Sequence, residues 1–281
     1  MPKNKIEKQP LVSVVIATYN REKYIKRAIE SVLNQTYKNI EVIIIDDSSA
    51  DKTKNIISEL NQKHTGIIYI KNKNRIGFIK SLNKGIETAK GKYIARIDDD
   101  DFWCDPQKLE KQVNFLEKNQ DYILVGGRYI LIDETGQKVQ RFLPETDEEI
   151  RKAILFACPF PHSAIVFRKD SWGKIGGYNE CYSEDWDFEL RLGKLGKFYN
   201  FPEYFVYILR EGQNKTPRYA RQNLKFNLRL RKKYRNDYPN FSKAFLLAQI
   251  RYFYSFLPQS LRQFLTPVVS KIRKIFFPSA L

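Results

Sequence analysis

The sequence is poor in cysteine and contains no long apolar segment. Its three cysteines, Cys104, Cys158 and Cys181, show no paired spacing, which excludes a disulfide framework and predicts reduced thiols in a cytosolic setting. No apolar run approaches the roughly 20 residues that a membrane-spanning helix requires. Residues 1–10 are polar and charged, so we expect a short polar leader, no secretory signal and a cytoplasmic location.

Acidic residues are scarce at the carboxyl-terminal end of the chain. Residues 207–281 contain 16 Lys and Arg residues but only two acids, Glu211 and Asp237, and hold most of the net charge of +17. The residues before them carry 33 basic and 30 acidic side chains and are almost neutral. This distribution predicts that the basic end meets an anionic surface. No nucleic-acid-binding motif accompanies the charge, so we expect no specific nucleic-acid partner.

The first hundred residues alternate between segments typical of buried strands and of amphipathic helices. Residues 11–17 and 40–45 are nearly continuous apolar runs, which predict strands that are buried on both faces. Between them, Asn20 is the expected cap of a helix whose apolar side chains recur at helical spacing from Ile25 to Leu33. This βαβ pattern predicts an α/β protein with a Rossmann-like, mainly parallel central sheet flanked by helices.

Similar patterns continue along the chain. Further strands are predicted at residues 67–70, 92–95, 122–133, 138–143 and 163–168, and further helices at 51–62, 78–90, from Asp105 onward, at 146–157 and at 188–195. The strand at 92–95 delivers the residues after it to the same sheet edge as the ends of the first two strands.

Four consecutive carboxylates, Asp98–Asp101, follow that strand directly. Adjacent negative charges repel one another and resist burial, so such a run needs either bulk water or a bound cation. Tyr19 and Asp47 also follow predicted strands and are expected at the same edge. This convergence favours a site for Mn²⁺ or Mg²⁺, which prefer oxygen ligands, over a solvated acidic turn.

Taken together, these segments resemble the family-2 inverting glycosyltransferases of GT-A fold, from Leu11 to about Arg210. The matching pieces occur in the family's order: residues 12–20, 31–37 and 45–49, then Asn74, Gly77 and Asn83, then 91–93, the acidic run, 176–179, and 184–185. The resemblance implies a glycosyltransferase domain over residues 11–212, with a nucleotide half at about 11–105 and an acceptor half at about 106–212. Residues 213–281 remain as a basic, amphipathic helical tail.

The resemblance also implies a reaction. It predicts a metal-dependent, inverting glycosyltransferase that moves a sugar from a UDP-, dTDP- or GDP-sugar to a hydroxyl group. The expected acceptor is a glycan or a lipid-linked glycan in the synthesis of surface polysaccharide or glycoconjugate. The alternative is a non-catalytic member of the same fold that binds a nucleotide or a glycan.

On the nucleotide side, the resemblance assigns binding roles to Ala17, Thr18, Tyr19, Asp47, Asp98 and Asp99. Tyr19 is implied to stack on the base, a contact that any π face can make. Asp47 is implied to accept a hydrogen bond from an N–H group of the base. Asp100 is the implied direct ligand of the metal, and Asp98 or Asp99 contacts the ribose or the metal.

On the acceptor side, the resemblance makes Asp185 the catalytic base. Such a base takes the proton of the acceptor hydroxyl as its oxygen attacks the anomeric carbon. Glu184 is implied to orient the base or to bind the acceptor, and Trp186 is implied to form one side of the sugar-binding site. His162 either contacts the acceptor or is structural, and Arg210 is implied to contact a diphosphate or an acceptor phosphate.

The tail contains two basic helical patterns. Residues 218–235 form the first, and after Pro258 apolar side chains recur at helical spacing among basic ones, with an interruption near Pro267. The second pattern is typical of a helix that lies in the plane of an anionic membrane surface. This predicts a peripheral protein at the inner face of the cell membrane. The alternative is a helix that packs on the body of the enzyme.

Overall fold

The computed structural model describes residues 9–210 and 217–265. Strands and helices alternate in its first half: β1 (Val12–Thr18), α1 (Ile25–Leu33), β2 (Ile40–Asp46), α2 (Thr53–Lys63), β3 (Ile67–Lys71), α3 (Phe78–Thr88) and β4 (Tyr93–Arg96). Strands β3, β2, β1 and β4 lie side by side in that order and are all parallel. Their carboxyl ends therefore share one edge of the sheet.

The second half extends the sheet with pairings of mixed direction. Its elements are β5 (Phe102–Trp103), α4 (Lys108–Lys118), β6 (Tyr122–Asp133), β7 (Lys138–Arg141), α5 (Asp147–Ile154), β8 (Val166–Arg168), α6 (Lys169–Ile175), α7 (Glu184–Leu192) and β9 (Lys197–Arg210). Strand β8 pairs antiparallel with β4 and β6, and β6 runs parallel to β9. Strands β5 and β7 are antiparallel additions to β9 and β6. In the described chain all these strands form a single sheet, and the predicted α/β class is confirmed.

Helices cover both faces of the sheet, and the side chains of β1 show what this requires of the sequence. Val15 and Ala17 pack on one face with residues of α3, α5 and α7, whereas Val14 and Ile16 pack on the other with residues of α1, α2 and α4. All four side chains are buried. A strand covered on both faces needs apolar residues at every position, which explains the continuous apolar run.

Several predicted element boundaries were wrong. The helix predicted at 188–195 is α7, which begins at Glu184, and the helix predicted from Asp105 begins at Lys108. The helix expected from Asn20 begins at Ile25. Asn20 has a φ of 54°, and its side-chain oxygen accepts a hydrogen bond from the backbone N–H of Ala50 at 2.9 Å, so it joins two loops and caps no helix. The strand expected at residues 163–168 is limited to β8, because His162–Ala164 form a single 3₁₀ turn.

The longest described strand, β9, has no counterpart in the sequence-based prediction. Its apolar pattern is interrupted by Asn200, Pro202 and Glu203, which are residue types depleted in strands. The pairing with β6 is irregular and shifts register near Gly127. The buried amide of Asn200 donates to two loop carbonyl groups, so a polar residue is accommodated inside the sheet layer.

The predicted helical appendage is present after the sheet. Its described helical parts are α8 (Pro217–Lys233), α9 (Phe241–Tyr254) and residues 259–265. Between α8 and α9, the buried hydroxyl of Tyr238 donates a 2.8 Å hydrogen bond to the carbonyl oxygen of Leu190 in α7. The guanidinium of Arg231 lies 4.5 Å from the ring centre of Trp186. The first part of the appendage therefore packs on the body of the protein.

Some predictions concern residues that lie outside the described parts of the chain. These concern residues 1–8 of the leader, residues 211–216, and residues 266–281, which hold most of the amphipathic helix expected after Pro258. Of that helix, residues 259–265 are described and are helical. No described helix has both the length and the apolar character to cross a bilayer.

Candidate active site

Three strand ends meet at the common edge of the sheet, as the sequence predicts. Tyr19 follows β1, Asp47 follows β2 and the acidic run Asp98–Asp101 follows β4. Tyr19, Asp47 and the first three acids of the run, Asp98–Asp100, border a cavity of about 360 Å³, which we call the strand-end cavity. All the residues assigned to the nucleotide side line it: Ala17, Thr18, Tyr19, Asp47, Asp98 and Asp99.

Asp47 is held in place by several donors. Its Oδ1 accepts hydrogen bonds from the Asn72 amide (3.0 Å) and the Ile76 N–H (2.8 Å), and its Oδ2 accepts one from the Gly77 N–H at 2.8 Å. Burial alone raises the pKa of Asp47, but these hydrogen bonds outweigh burial and hold the pKa below its usual value. Asp47 is therefore a fixed carboxylate at the edge of the cavity.

The ring of Tyr19 forms one side of the strand-end cavity together with a residue that was not predicted. The guanidinium of Arg75 lies 4.0 Å from the ring centre, a distance that fits a cation–π contact. Both side chains line the cavity. The pair presents a flat aromatic surface next to a positive charge, which suits a base attached to a phosphate group.

The four acids of the run have different partners. Asp98 forms a 2.7 Å ion pair with the buried guanidinium of Arg96. Asp99 and Asp100 lie 3.3 and 3.4 Å from the guanidinium of Arg21. Burial raises the pKa of Asp99 to about 7. Asp98 and Asp100 could hold a divalent cation, because both line the cavity and carboxylate oxygens are the ligands that Mg²⁺ and Mn²⁺ prefer.

Asp101 differs from the other three because it points into the protein. It is buried, and its carboxylate accepts hydrogen bonds from the hydroxyl of Ser163 and from the backbone N–H of Leu209 at 3.1 Å. The same hydroxyl also accepts a 3.0 Å hydrogen bond from the backbone N–H of Asp98. Asp101 therefore ties the acidic run to β9 and to the turn before β8.

A second cavity of about 440 Å³ adjoins the first at Asp98 and Phe78, which line both. We call it the α7 cavity because Glu184 and Asp185, in the first turn of α7, form part of its wall. Arg96 also lines it. The acidic run and the first turn of α7 thus face two adjoining spaces that share a wall.

The carboxylate of Asp185 is oriented by its own helix. The backbone N–H of Trp186 donates a 2.8 Å hydrogen bond to Asp185 Oδ1. Burial raises the pKa of Asp185, while this hydrogen bond and the charge of Arg96 act in the opposite direction. Burial also raises the pKa of Glu184. Carboxylates with raised pKa values that border a cavity are suited to exchange protons.

The remaining acceptor-side residues occupy three different environments. His162 lines the α7 cavity, but it is buried and its Nε2 lies 2.9 Å from Glu189. Trp186 is a core residue whose indole N–H donates to the carbonyl oxygen of Ile154, and it does not border either cavity. Arg210, at the end of β9, is exposed and does not border them either.

Four charged residues that line these cavities or lie directly behind them were missed by the sequence analysis. One is Arg21, which follows β1 and contacts two acids of the run. Arg96 stands in the buried strand β4, Glu189 lies one helical turn after Asp185 in α7, and Arg75 lies between β3 and α3. A charge inside an apolar strand was the available signal for Arg96, and a charge on the apolar face of a helix was the signal for Glu189. Arg75 lies in a polar loop and carries no such signal.

Comparison with known proteins identifies the family. The model of glycosyl transferase family 2 matches residues 13–180. This chain belongs to that family. A family relative from Escherichia coli, UDP-Glc:alpha-D-GlcNAc-diphosphoundecaprenol beta-1,3-glucosyltransferase WfaP, is 43% identical over 187 residues, which are 66% of this chain and 71% of the relative. This chain spans slightly less than two thirds of the length of two other relatives, 66% of one and 64% of the other.

Solved structures extend the likeness to the whole fold. TarS of S. aureus, in complex with UDP-GlcNAc, matches 94% of this chain and 80% of its own chain with a TM-score of 0.68 at 17% identity. The mannosyltransferase PcManGT of Pyrobaculum calidifontis, in complex with GDP-Man and Mn²⁺, matches 98% of this chain and 77% of its own with a TM-score of 0.64 at 16% identity. The predicted GT-A fold of this family-2 chain is confirmed.

The different surroundings of Asp100 and Asp101 lead to a prediction about stability. Asp101→Ala removes the acceptor of Ser163 and Leu209 in a buried place, so we expect the free energy of unfolding to fall by about 2 kcal/mol or more. Asp100→Ala removes a carboxylate that is partly exposed, and we expect a change within about 1 kcal/mol. Urea unfolding of both variants measures the difference. Equal losses would show that Asp101 has no special structural role.

Proposed function

We propose that this protein is a metal-dependent, inverting glycosyltransferase that moves a sugar from a nucleotide-diphosphate donor to a hydroxyl group of a glycan or lipid-linked acceptor. The observation that carries the proposal is the shared wall of the two cavities: Asp98, Asp99 and Asp100 border the strand-end cavity, and Asp98 also borders the α7 cavity together with Asp185. A donor in the strand-end cavity and an acceptor in the α7 cavity would meet at Asp98 and Phe78. Reactants held in contact in this way gain most of the advantage that proximity offers.

The donor half of the proposal rests on the strand-end cavity. Tyr19 stacks on the base, Asp47 accepts a hydrogen bond from a base N–H, and Arg75 faces the phosphates. Asp98 and Asp100 would hold Mn²⁺ or Mg²⁺, and such an ion, when bound, neutralises charge on the departing diphosphate. Arg21, which contacts Asp99 and Asp100, keeps their charges balanced at this edge.

The acceptor half rests on Asp185. Its carboxylate takes the proton of the acceptor hydroxyl, whose oxygen attacks the anomeric carbon on the side opposite to the diphosphate, so the configuration inverts in one displacement. The hydrogen bond from the backbone N–H of Trp186 holds the Asp185 carboxylate in place, and the charge of Arg96 favours the ionised form of that carboxylate. Glu184, in the same helical turn, contacts the acceptor.

A role in surface polysaccharide or glycoconjugate synthesis is supported by the relatives. WfaP acts, by its name, on a diphosphoundecaprenol-linked acceptor, and a relative from Erwinia amylovora is named an amylovoran biosynthesis glycosyltransferase. We propose an acceptor of the lipid-linked class for this protein. Such an acceptor lies at a membrane surface, where the enzyme has to reach it.

The appendage offers a surface for that contact. Phe253 in α9 and Phe264 in the helical residues 259–265 are 64% and 79% exposed, and Leu246, Phe256 and Leu261 are also exposed. The same part of the chain carries most of the positive charge. Apolar side chains among basic ones suit the interface of an anionic bilayer. We propose that the protein is cytoplasmic and binds peripherally to the inner face of the cell membrane.

The donor and its metal dependence can be measured by thermal shift. With UDP, dTDP and GDP in turn, we expect one nucleotide to raise the melting temperature by several degrees with Mn²⁺ and to lose most of the shift with EDTA. Asp100→Ala should lower the shift in the presence of Mn²⁺, because it removes a ligand. An identical shift with EDTA, or in Asp100→Ala, would contradict the metal site.

The role of Asp185 can be separated from binding. Asp185→Asn keeps the shape of the side chain but cannot accept the proton, so we expect kcat to fall by about 10²-fold or more with donor affinity kept within about twofold. In the wild-type enzyme kcat should rise with pH, since the ionised carboxylate is the base. Asp170→Asn, on the exposed face of α6, is the matched control and should leave kcat unchanged. Unchanged turnover in Asp185→Asn would reject the assignment.

The membrane surface can be tested with vesicles. We expect the double variant Phe253→Ser, Phe264→Ser to bind phosphatidylglycerol vesicles about tenfold or more weakly, because each exposed ring would lose its burial in the interface. Transfer to a water-soluble acceptor should be unaffected. Val139→Ser, an exposed apolar side chain on β7, serves as control. Equal vesicle binding by all three proteins would show that the described end of the appendage is not the membrane surface.

A further inference from the structure

The α7 cavity contains a second group of possible metal ligands, apart from the acidic run. Cys158 lies between α5 and the 3₁₀ turn, His162 begins that turn, and Glu189 lies in the second turn of α7. Their ligand atoms all lie within 4.8 Å of one another. We call these three residues the Cys–His–Glu cluster. Cys158 and His162 border the cavity, and Glu189 lies behind them, fully buried.

The cluster already has nearly the dimensions of a metal site. The Sγ atom of Cys158 lies 3.2 Å from each carboxylate oxygen of Glu189, and Nε2 of His162 lies 2.9 Å from Oε1. Around a tetrahedral zinc ion, with bonds of about 2.0 to 2.3 Å, ligand atoms are about 3.3 to 3.6 Å apart. The distances to Glu189 would lengthen by a few tenths of an ångström on binding, and the ligand atoms of Cys158 and His162, which lie within 4.8 Å of each other, would have to settle into the same range.

The charge of the surroundings favours a cation at this place. The side-chain partners of Glu189 are the thiol of Cys158 and the ring of His162, and no Lys or Arg of the described residues forms an ion pair with it. Of the described basic residues, only Arg96 acts on it, from a longer distance. The described wall of the α7 cavity carries four carboxylates, from Asp98, Asp101, Glu184 and Asp185, against the guanidinium of Arg96. A buried carboxylate in a negatively charged surrounding is costly unless a proton or a cation compensates it.

The partner of His162 on its other side is placed as a metal-binding histidine needs. The hydroxyl of Tyr178 lies 3.4 Å from Nδ1, and the Tyr178 ring stacks on Phe188 at 4.1 Å, which fixes its position. With a metal on Nε2, the ring proton would stand on Nδ1 and be donated to the Tyr178 oxygen. An outer partner of this kind orients the ring and sets its tautomer.

We propose that Cys158, His162 and Glu189 bind a divalent cation of the zinc class, with the fourth position open to the α7 cavity. A thiolate and an imidazole select such an ion over Mg²⁺ or Mn²⁺, which the carboxylates of the acidic run suit better. On binding, the thiol proton and the proton that compensates Glu189 in the absence of the ion are released to solvent, and one thiolate with one carboxylate balances the charge of the ion. The open position would take water or an oxygen of a molecule in the cavity. The proposal does not depend on the transferase reaction.

Cobalt binding tests the site directly. The full-length protein, treated with a chelator and kept in excess Mg²⁺ to occupy the acidic run, is titrated with Co²⁺. We expect one equivalent to bind with a thiolate-to-cobalt charge-transfer band in the near ultraviolet. Cys158→Ser should abolish the band, whereas Cys181→Ser, a matched change outside the cluster, should keep it. Tyr178→Phe should weaken Co²⁺ binding by about tenfold.

A second measurement uses the unaltered chain, so it holds even if Cys158→Ser does not fold. Zn²⁺ should slow the alkylation of Cys158 by iodoacetamide, followed by mass spectrometry, and leave the rates of Cys104 and Cys181 unchanged. The proposal is overturned if wild-type protein gives no thiolate-to-cobalt band, if folded Cys158→Ser keeps the band, or if Zn²⁺ protects all three thiols equally.

Discussion

The geometry of the site depends on how the fold accommodates the negative charge of the four carboxylates that follow β4. Four adjacent carboxylates cannot all be buried, nor can all be left to repel one another. The fold separates them: Asp101 turns inward to Ser163 and β9, Asp98 pairs with Arg96, and Asp99 and Asp100 face Arg21. The inward carboxylate fixes the position of the outward ones. Their direction is therefore set by the packing of the second half of the sheet.

The parallel half of the sheet could be predicted from the sequence because its physical requirement is simple. A strand covered by helices on both faces must be apolar throughout, and β1 and β2 are. Strand β9 does not meet such a rule. It is held by irregular pairing with β6 and by buried polar contacts of Asn200, and both depend on residues that are distant in the chain. Residues 204–209 are a run of aromatic and apolar side chains typical of a strand, a signal that the sequence analysis did not use, whereas no local pattern indicated the first half of β9.

The residues of the site also fall into those that could be predicted from the sequence and those that could not. Its acids could be located because they follow strands, and the ends of parallel strands meet. Their partners could not, since a sequence does not tell which side chain a buried charge will face. Asp185 and Glu189 are one helical turn apart on α7, yet the first borders the cavity and the second lies behind its wall, in contact with His162. Only the packing of α7 on the turn before β8 distinguishes the two carboxylates.

The distribution of charge also limits how an acceptor can lie. The α7 cavity is rich in carboxylates, so a phosphate group inside it would be repelled, whereas a neutral sugar hydroxyl would not. The appendage is rich in Lys and Arg and attracts anions. An acceptor that carries both a phosphate and a sugar is thus favoured in one orientation, with the phosphate toward the basic end and the sugar toward Asp185. In the proposed reaction, this orientation keeps the phosphate away from Asp185 and leaves the neutral sugar beside it.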